Sequence, residues 1–348
     1  MRKKIAINGF GRIGRLTLRN LLKNKNVEVV AINDLTDNAT LAHLFKYDSA
    51  QGTYPGSVSA DDKHITIGKR KILGFTERDP SKLPWKKLKV DVVLECTGVF
   101  VTYEKAGMHL DAGAKRVVLS APAKSDTIQT IVFGVNDHEI DPSNKIFSNA
   151  SCTTNCLAPL TKVINENWGF VQGTMTTTHA YTAGQRIQDA PHKDLRRARA
   201  AAVNMVPTTT GAAVATALVY PPVKDKMMAL SIRVPVITGS LVELTAIVEK
   251  KVTKEQINKK FKSMAKGKMK GVLEFLDAPL VSSDIIGNSN SSIFDSDLTN
   301  AVGNMIKVVA WYDNEAGYSA RLAQLASHVA KLPMTKKKGK KSKKLAMN

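Results

Sequence analysis

The chain has few cysteines and no long apolar run. Its 348 residues contain Cys96, Cys152 and Cys156, too few and too scattered for a disulfide framework or a zinc site. No apolar run approaches the ~20 residues that a membrane-spanning helix needs. The first eight residues become polar too soon for a signal peptide. These absences predict a protein of the reducing cytoplasm, without a metal site or a membrane partner.

Acidic residues are also scarce relative to basic ones. The chain has 51 Lys and Arg and 30 Asp and Glu, which gives a net charge of +21. Seven of these charges are lysines between positions 336 and 344, so that +14 remains on the rest of the chain. This charge attracts phosphorylated metabolites and, less specifically, nucleic acids. Since no aromatic residues interleave the tail lysines, we interpret residues 334–348 as a disordered tail. Polyanion binding through this tail is the alternative.

The first 34 residues follow a strand–turn–helix–strand pattern. A strand over residues 3–8 leads into G-x-G-x-x-G, a helix follows, and a strand over 27–33 ends at Asp34. Glycines at Gly9, Gly11 and Gly14 let a pyrophosphate approach the backbone at the helix N-terminus. The carboxylate of Asp34 can accept from ribose hydroxyls and repels a 2′-phosphate. The pattern therefore predicts a site for NAD rather than NADP.

The strand and helix alternation continues after this unit. We expect a hairpin around residues 65–73, buried strands over 90–96 and 115–120, and a helix over 105–112. This order predicts a doubly wound sheet of the Rossmann type. Ligands bind such sheets at the carboxyl ends of the strands, which places Thr97 and Ser120 beside the cofactor. Ordinary strand-to-helix turns explain these two positions equally well.

A polar run, Ser-Cys-Thr-Thr-Asn-Cys, occupies residues 151–156 and precedes helical spacing of apolar residues. Ser151 is a natural N-cap, so Cys152 is expected in the first helical turn. There the helix dipole lowers a thiol pKa and favours the nucleophilic thiolate. His179, at the end of a Thr-rich strand, is the candidate base. The alternative, that Cys152 is a buried core residue, is disfavoured by its polar neighbours.

The second half changes character after this helix. We expect a long loop over residues 180–203 and a helix that begins at the run 207–211. The remaining predicted elements are antiparallel strands over 229–234 and 241–248, a helix over 253–265, a strand over 305–312 and a helix over 315–330. This succession predicts an α+β catalytic domain with an antiparallel sheet.

Four stretches together resemble phosphorylating glyceraldehyde-3-phosphate dehydrogenases. They are residues 8–15, 148–156, 179–182 and 311–315, and the cysteine stretch is highly specific to that family. The resemblance covers about residues 3–332. It implies NAD-dependent conversion of D-glyceraldehyde 3-phosphate and inorganic phosphate into 1,3-bisphosphoglycerate, in glycolysis. The reaction would pass through a thiohemiacetal and a thioester on Cys152, with His179 as base. The family is a homotetramer whose loop after Thr182 packs against the neighbouring subunit's cofactor.

The resemblance also implies roles for individual residues. Those implied to bind the cofactor are Arg12, Ile13 and Asp34 at the adenosine and pyrophosphate, and Thr97, Ser120 and Asn314 at the nicotinamide end. Those implied to bind the substrate's own phosphate are Thr182 and Arg233, and those implied to bind inorganic phosphate are Ser151, Thr153, Thr210 and Gly211.

We expect four parts in the chain: an NAD-binding domain over residues 1–150, a catalytic domain over 151–316, a helix over 317–333 that returns to the NAD-binding domain, and the tail over 334–348. Two positions depart from the family pattern. Residues 236–240 replace a Thr-Pro-Asn run, and Ala190-Pro191 stands where NAD-using members typically carry Leu-Pro. Erythrose-4-phosphate dehydrogenase is the alternative enzyme, which the set of Thr182, Thr210, Gly211 and Arg233 disfavours.

Overall fold

The computed structural model of the chain describes residues 1–334, in which each half contributes one sheet. The first sheet has the strands β1 (Lys3–Asn8), β2 (Val27–Asn33), β3 (Val58–Ala60), β4 (His64–Ile67), β5 (Arg70–Phe75), β6 (Val92–Glu95), β7 (Arg116–Leu119), β8 (Gln129–Thr130) and β9 (Ile146–Ser148). The helices of this half are α1 (Arg12–Leu21), α2 (Asn38–Lys46), α3 (Trp85–Leu88) and α4 (Tyr103–Asp111).

The first sheet is doubly wound, as the sequence predicts. Its order is β3-β4-β5-β2-β1-β6-β7-β9-β8, and the strands from β2 to β9 in that order are parallel neighbours. Successive crossovers leave β1 in opposite directions, so the carboxyl ends of β1 and β6 form a switch point where ligands bind. Ile5, Ala6 and Ile7 of β1 are fully buried, as a strand covered on both faces requires.

The second sheet has the strands β10 (Phe170–Ala180), β11 (Val206–Thr208), β12 (Met227–Val234), β13 (Ser240–Val248), β14 (Leu273–Leu276), β15 (Ser292–Val302) and β16 (Met305–Tyr312). The helices of this half of the chain are α5 (Cys152–Trp168), α6 (Ala212–Val219), α7 (Lys254–Lys266) and α8 (Ala316–Val329). The strand order is β11-β12-β10-β13-β16-β15-β14.

This second sheet is mixed rather than purely antiparallel. Four of its neighbouring pairs are antiparallel, whereas β10 pairs in parallel with β12 and β14 with β15. The expected strands β12 and β13 both form, but β10 lies between them. The long segment after β10 crosses over and returns β12 alongside it in the same direction, as a parallel neighbour requires.

Residues 206–208 form an edge strand where the sequence analysis placed a helix start. Pro207 is tolerated there because β11 is the outermost strand of its sheet. The helix itself, α6, begins four residues later, after Gly211.

Helix α8 connects the two sheets. It follows β16 of the second sheet, yet Leu322, Leu325 and Val329 pack in the same core as Ile5 and Leu18 of the first. The cleft between the sheets is therefore bounded by the start of α8, the start of α5 and the carboxyl ends of β1 and β6.

Candidate active site

The turn before α5 presents Cys152 at the cleft. Ser151 caps the helix, since its Oγ accepts from the backbone N–H of Thr154 at 3.1 Å, as predicted. Ala150 before it has a left-handed backbone, φ +55°, which is strained for a residue with a side chain. The hydroxyl of Tyr318 donates to the Ala150 carbonyl at 3.0 Å and helps to hold this conformation. The thiol is thereby fixed in the first turn of the helix.

His179 lies against this thiol. Its Nε2 is 3.4 Å from Sγ of Cys152, and its Nδ1 is 2.6 Å from the carbonyl oxygen of Ala180. In the tautomer with the ring proton on Nδ1, the Ala180 carbonyl accepts that proton and Nε2 faces the sulfur with a lone pair. Arg233 is the register partner of His179 across β10 and β12. Its Nη1 donates to the same carbonyl at 3.1 Å and lies 2.9 Å from Nδ1.

Burial opposes the charged form of both reacting groups. It raises the pKa of the Cys152 thiol, although the positive charge of Arg233 acts in the opposite direction. Burial and then the charge of Arg233 lower the pKa of His179 to about 3. The expected lowering of the thiol pKa by the helix dipole is thus outweighed by desolvation. The imidazole in contact with the sulfur is the nearest acceptor for its proton, so the two groups titrate as a coupled pair.

Tyr312 is a part of the site that the sequence analysis missed. Its hydroxyl lies 2.9 Å from Oγ1 of Thr153 and 2.8 Å from Oγ1 of Thr177. Its ring centroid lies 5.8 Å from that of His179, with the two rings edge to face. These contacts tie α5 to β10 behind the reacting pair. The residue stands in the recognised stretch 311–315, but only the tertiary fold reveals which way its hydroxyl points.

A cavity of about 510 Å³ opens in front of Cys152. Nine of the predicted site residues line it: Arg12, Ile13, Ser120, Ser151, Cys152, His179, Thr182, Arg233 and Asn314. A neighbouring cavity of about 420 Å³ is lined by four others: Gly9, Gly11, Asp34 and Thr97. Gly98 lines the first of these cavities and Thr97 lines the second. Because the two residues are consecutive, the two cavities lie side by side at the glycine turn.

The glycine turn has the shape that a pyrophosphate requires. Gly9 has φ +90°, and a Cβ there would lie 2.6 Å from the backbone nitrogen of Thr97. Gly14 packs directly on the Gly9 carbonyl, so its role is close packing. A Cβ on Gly11 would meet open space, and no side chain caps the N–H groups of α1. The helix N-terminus is therefore open to an anion.

The polar groups at both ends of the two cavities fit NAD. Asp34 accepts from the N–H of Phe10 at 2.7 Å, which orients its carboxylate at the end of β2. At the other end, Oδ1 of Asn314 accepts from Ser240 Oγ at 2.9 Å and from Gly239 N at 3.2 Å. Its amide N–H groups are then left to donate to a carboxamide oxygen such as that of nicotinamide.

Four predicted site residues line neither of the two cavities. Thr153 is buried against Tyr312, and Gly14 serves packing. Thr210 accepts from the N–H of Ala212, and Gly211 precedes the first residue of α6. The two therefore mark the start of α6.

Two arginines near the site have unexpected partners. Arg12 pairs with Asp48 at 2.7 Å and with Glu315, so its charge is already balanced. Arg197 of the long loop donates to Thr208 Oγ1 at 2.8 Å, and its charge contributes to the low pKa of His179. The sequence analysis gave Arg197 no role, because a loop of this length has no periodicity from which to place a side chain.

Comparison with known proteins agrees with this geometry. The model of the glyceraldehyde 3-phosphate dehydrogenase NAD binding domain matches residues 3–103, and that of the C-terminal domain matches residues 151–314. Glyceraldehyde-3-phosphate dehydrogenase of Mycobacterium avium is 54% identical over 95% of this chain and 99% of its own length. The same enzyme of Geobacillus stearothermophilus is 52% identical over 95% and 99%. The chain therefore belongs to the glyceraldehyde-3-phosphate dehydrogenase family.

Proposed function

We propose that the chain is a glycolytic dehydrogenase that oxidises D-glyceraldehyde 3-phosphate with NAD and adds inorganic phosphate, which gives 1,3-bisphosphoglycerate. The carrying observation is the 3.4 Å contact between Cys152 Sγ and His179 Nε2 at the start of α5. This pair opens on the same cavity as Asn314 and the glycine-turn residues Arg12 and Ile13.

The chemistry begins at the sulfur. Cys152 gives its proton to Nε2 of His179 and adds to the aldehyde carbon, and the N-terminal N–H groups of α5 stabilise the oxyanion. His179 returns the proton to that oxygen, which gives a thiohemiacetal. It then removes the hydroxyl proton again as the carbon is oxidised, and a thioester to Cys152 remains. NAD, when bound, supplies the hydride acceptor for this oxidation. Inorganic phosphate attacks the thioester carbon, and the Cys152 thiolate leaves.

We assign the two phosphates to different residues. Thr182 and Arg233 would hold the substrate's own phosphate, because both line the cavity in front of Cys152. Ser151, Thr153, Thr210 and Gly211 would hold the attacking phosphate. The helix starts of α5 and α6 offer N–H groups for this purpose. Arg233→Gln should then raise the KM for the triose phosphate, whereas Thr210→Val should raise the KM for inorganic phosphate.

The assay that tests the function compares two aldose phosphates. Purified protein is given NAD with D-glyceraldehyde 3-phosphate or with erythrose 4-phosphate, each with and without inorganic phosphate. We expect sustained NADH formation with the triose phosphate and a strict need for inorganic phosphate. Faster turnover of erythrose 4-phosphate, or turnover independent of phosphate, would contradict the assignment.

We also propose a homotetramer of two-domain subunits, divided as 1–150 and 151–316 with the helix over 317–333 returning to the first domain. Large apolar side chains are exposed along the loop after Thr182: Ile187 (90%), Leu195 (80%), Val203 (77%) and Met205 (75%). Such a patch is typical of a subunit interface. Sedimentation equilibrium of the full chain measures the mass directly.

The proposal also includes a cytoplasmic location and weak binding of polyanions such as nucleic acids. Cys96, Cys152 and Cys156 are free thiols, which suits a cytoplasmic enzyme. None of the helices within residues 1–334 is long and apolar enough to cross a bilayer.

The expectation of a disordered tail concerns residues that lie, apart from Met334, outside the described ones. Weak nucleic-acid binding through its lysines is a second property that salt titration of RNA binding can test.

A further inference from the structure

A polar cavity lies between α1 and α8, on a different part of the surface from the cleft that holds Cys152. It has a volume of about 540 Å³. From α8 and the residues after it come Arg321, Gln324, His328 and Lys331. The first three have the i, i+3, i+7 spacing that puts side chains on one face of a helix. Lys23 lies opposite, just after α1. Among the described residues that line the cavity, none is acidic.

Arg321 lines this cavity, and its charge has no counter-ion among residues 1–334. Its side chain is 9% exposed, and Nη1 donates to the carbonyl of Gly271 at 2.7 Å. Its Nε is buried without a hydrogen-bond partner among the described residues. Burial lowers the pKa of Arg321 to about 10, with no carboxylate to offset it. A buried charge without a partner is costly, and an anion in the cavity would remove that cost.

The rim of the cavity adds two more cations. Lys23 and Lys331 are exposed, and they approach from the two helices that the bond from Asn24 Nδ2 to Ser327 Oγ holds together at 3.1 Å. Three cations without an acid favour a compact dianion over a carboxylate, and the fork of an arginine suits phosphate oxygens. We propose that this cavity binds a phosphate group, either inorganic phosphate or that of a small phosphomonoester, between Arg321 and the two rim lysines.

The test separates this site from the phosphate positions of the active site. The full chain with Arg233→Gln and Thr210→Val, which weaken those positions, is dialysed against labelled inorganic phosphate. We expect one phosphate per subunit to remain. Adding Lys23→Gln and Lys331→Gln should weaken its binding by about 100-fold, because each of the two charge-assisted contacts contributes on the order of one decade. Loss of all phosphate before the rim lysines are changed would overturn the proposal.

Matched controls identify the cause of any loss. Lys69→Gln with Lys87→Gln removes the same charge at exposed positions outside the cavity and should leave phosphate binding unchanged. An equal loss in this control would show mere charge attraction and overturn the site. A chain that ends at Met334 should retain the phosphate, and its loss there would place the binding in the tail. In the otherwise natural chain, Lys23→Gln with Lys331→Gln should keep full turnover. Lost turnover would assign the phosphate to the active site instead.

Competition distinguishes the two sources of the phosphate group. Unlabelled glycerol 3-phosphate and unlabelled inorganic phosphate are titrated against the retained label. Tighter competition by glycerol 3-phosphate supports the site and indicates a phosphomonoester, and equal competition supports it with inorganic phosphate as ligand. If neither competes at millimolar concentration, the cavity is not a phosphate site.

Discussion

At the level of single residues, the reactivity of Cys152 depends on groups that are far apart in the chain. Burial raises the pKa of its thiol, so the proton needs an acceptor in contact. Nε2 of His179 is that acceptor at 3.4 Å, while Arg233 supplies a positive charge on the far side of the imidazole. We therefore expect the thiol, the base and the cation to act as one unit.

His179→Asn tests this dependence. An amide cannot take the thiol proton, so turnover should fall by ~10²–10⁴-fold, the usual contribution of a positioned base. Iodoacetamide alkylation of Cys152 should need a higher pH, since a buried thiol without its acceptor ionises later. A pH profile of alkylation that matches the natural chain would show that His179 acts only on the substrate.

We expect Asp34 to set the preference between the two coenzymes. Its negative charge at the ribose end disfavours a 2′-phosphate, so kcat/KM should be higher with NAD than with NADP. Asp34→Asn removes the charge but keeps an oxygen that accepts from the N–H of Phe10. This variant should narrow the preference by about 10-fold, which corresponds to ~1.4 kcal/mol of repulsion. If the ratio of kcat/KM with NAD to kcat/KM with NADP stays unchanged, the loop position Ala190 and not Asp34 would determine the choice of coenzyme.

At the level of elements, the site is the meeting place of one helix start and several strand ends. Helix α5 supplies Cys152, β10 supplies His179 and β12 supplies Arg233 through its parallel register with β10. Behind them the Tyr312 hydroxyl of β16 bridges two threonines. The geometry of the reacting pair therefore depends on this packing.

Tyr312→Phe removes the bridge without changing the ring. Thr153 then loses its hydroxyl partner inside the protein, which should cost about 1–3 kcal/mol of unfolding free energy. Turnover should fall as α5 shifts against β10. Denaturant melts and kcat measure the two effects, and Tyr47→Phe at a 54% exposed tyrosine is the control. Equal stability of the two variants would mean that the bridge contributes nothing.

Local sequence patterns predict the strands and helix starts that depend on nearby residues alone. The strands β1 and β2 form over the predicted residues, and the Ser151 cap follows from one residue type before an apolar period. The sequence does not indicate which strands pair with each other. Neither the insertion of β10 between β12 and β13 nor the contact of Arg233 with His179 produces a pattern in the local sequence. The thiol pKa was misjudged for the same reason, since burial is a property of the assembled fold.

At the level of the whole molecule, we expect the positive charge of the tail and the catalytic activity to be separable. The lysines between positions 336 and 344 follow the last described helix, and every described residue that lines the two cavities around the glycine turn lies before them. We therefore expect the catalytic residues to need nothing from the tail, in which seven of the excess charges reside.

Deleting residues 334–348 should leave kcat, KM and the oligomeric mass nearly unchanged. It should reduce the salt dependence of any binding to RNA, because that slope scales with the number of phosphates neutralised. Steady-state kinetics, sedimentation and a salt titration of RNA binding check the three statements. Dissociation of the oligomer would show that the tail contributes to subunit assembly. An unchanged salt slope would show that RNA binds to residues 1–333, which carry the remaining charge of +14.

The central claim is that oxidation passes through a thioester on Cys152. The most direct measurement incubates the protein with glyceraldehyde 3-phosphate and NAD, without inorganic phosphate, and locates the acyl group by mass spectrometry. We predict one acyl group per subunit on Cys152, its release when phosphate is added, its persistence in Cys156→Ser and its absence in Cys152→Ser. An acyl group on Cys156, or sustained turnover in Cys152→Ser, would contradict the account.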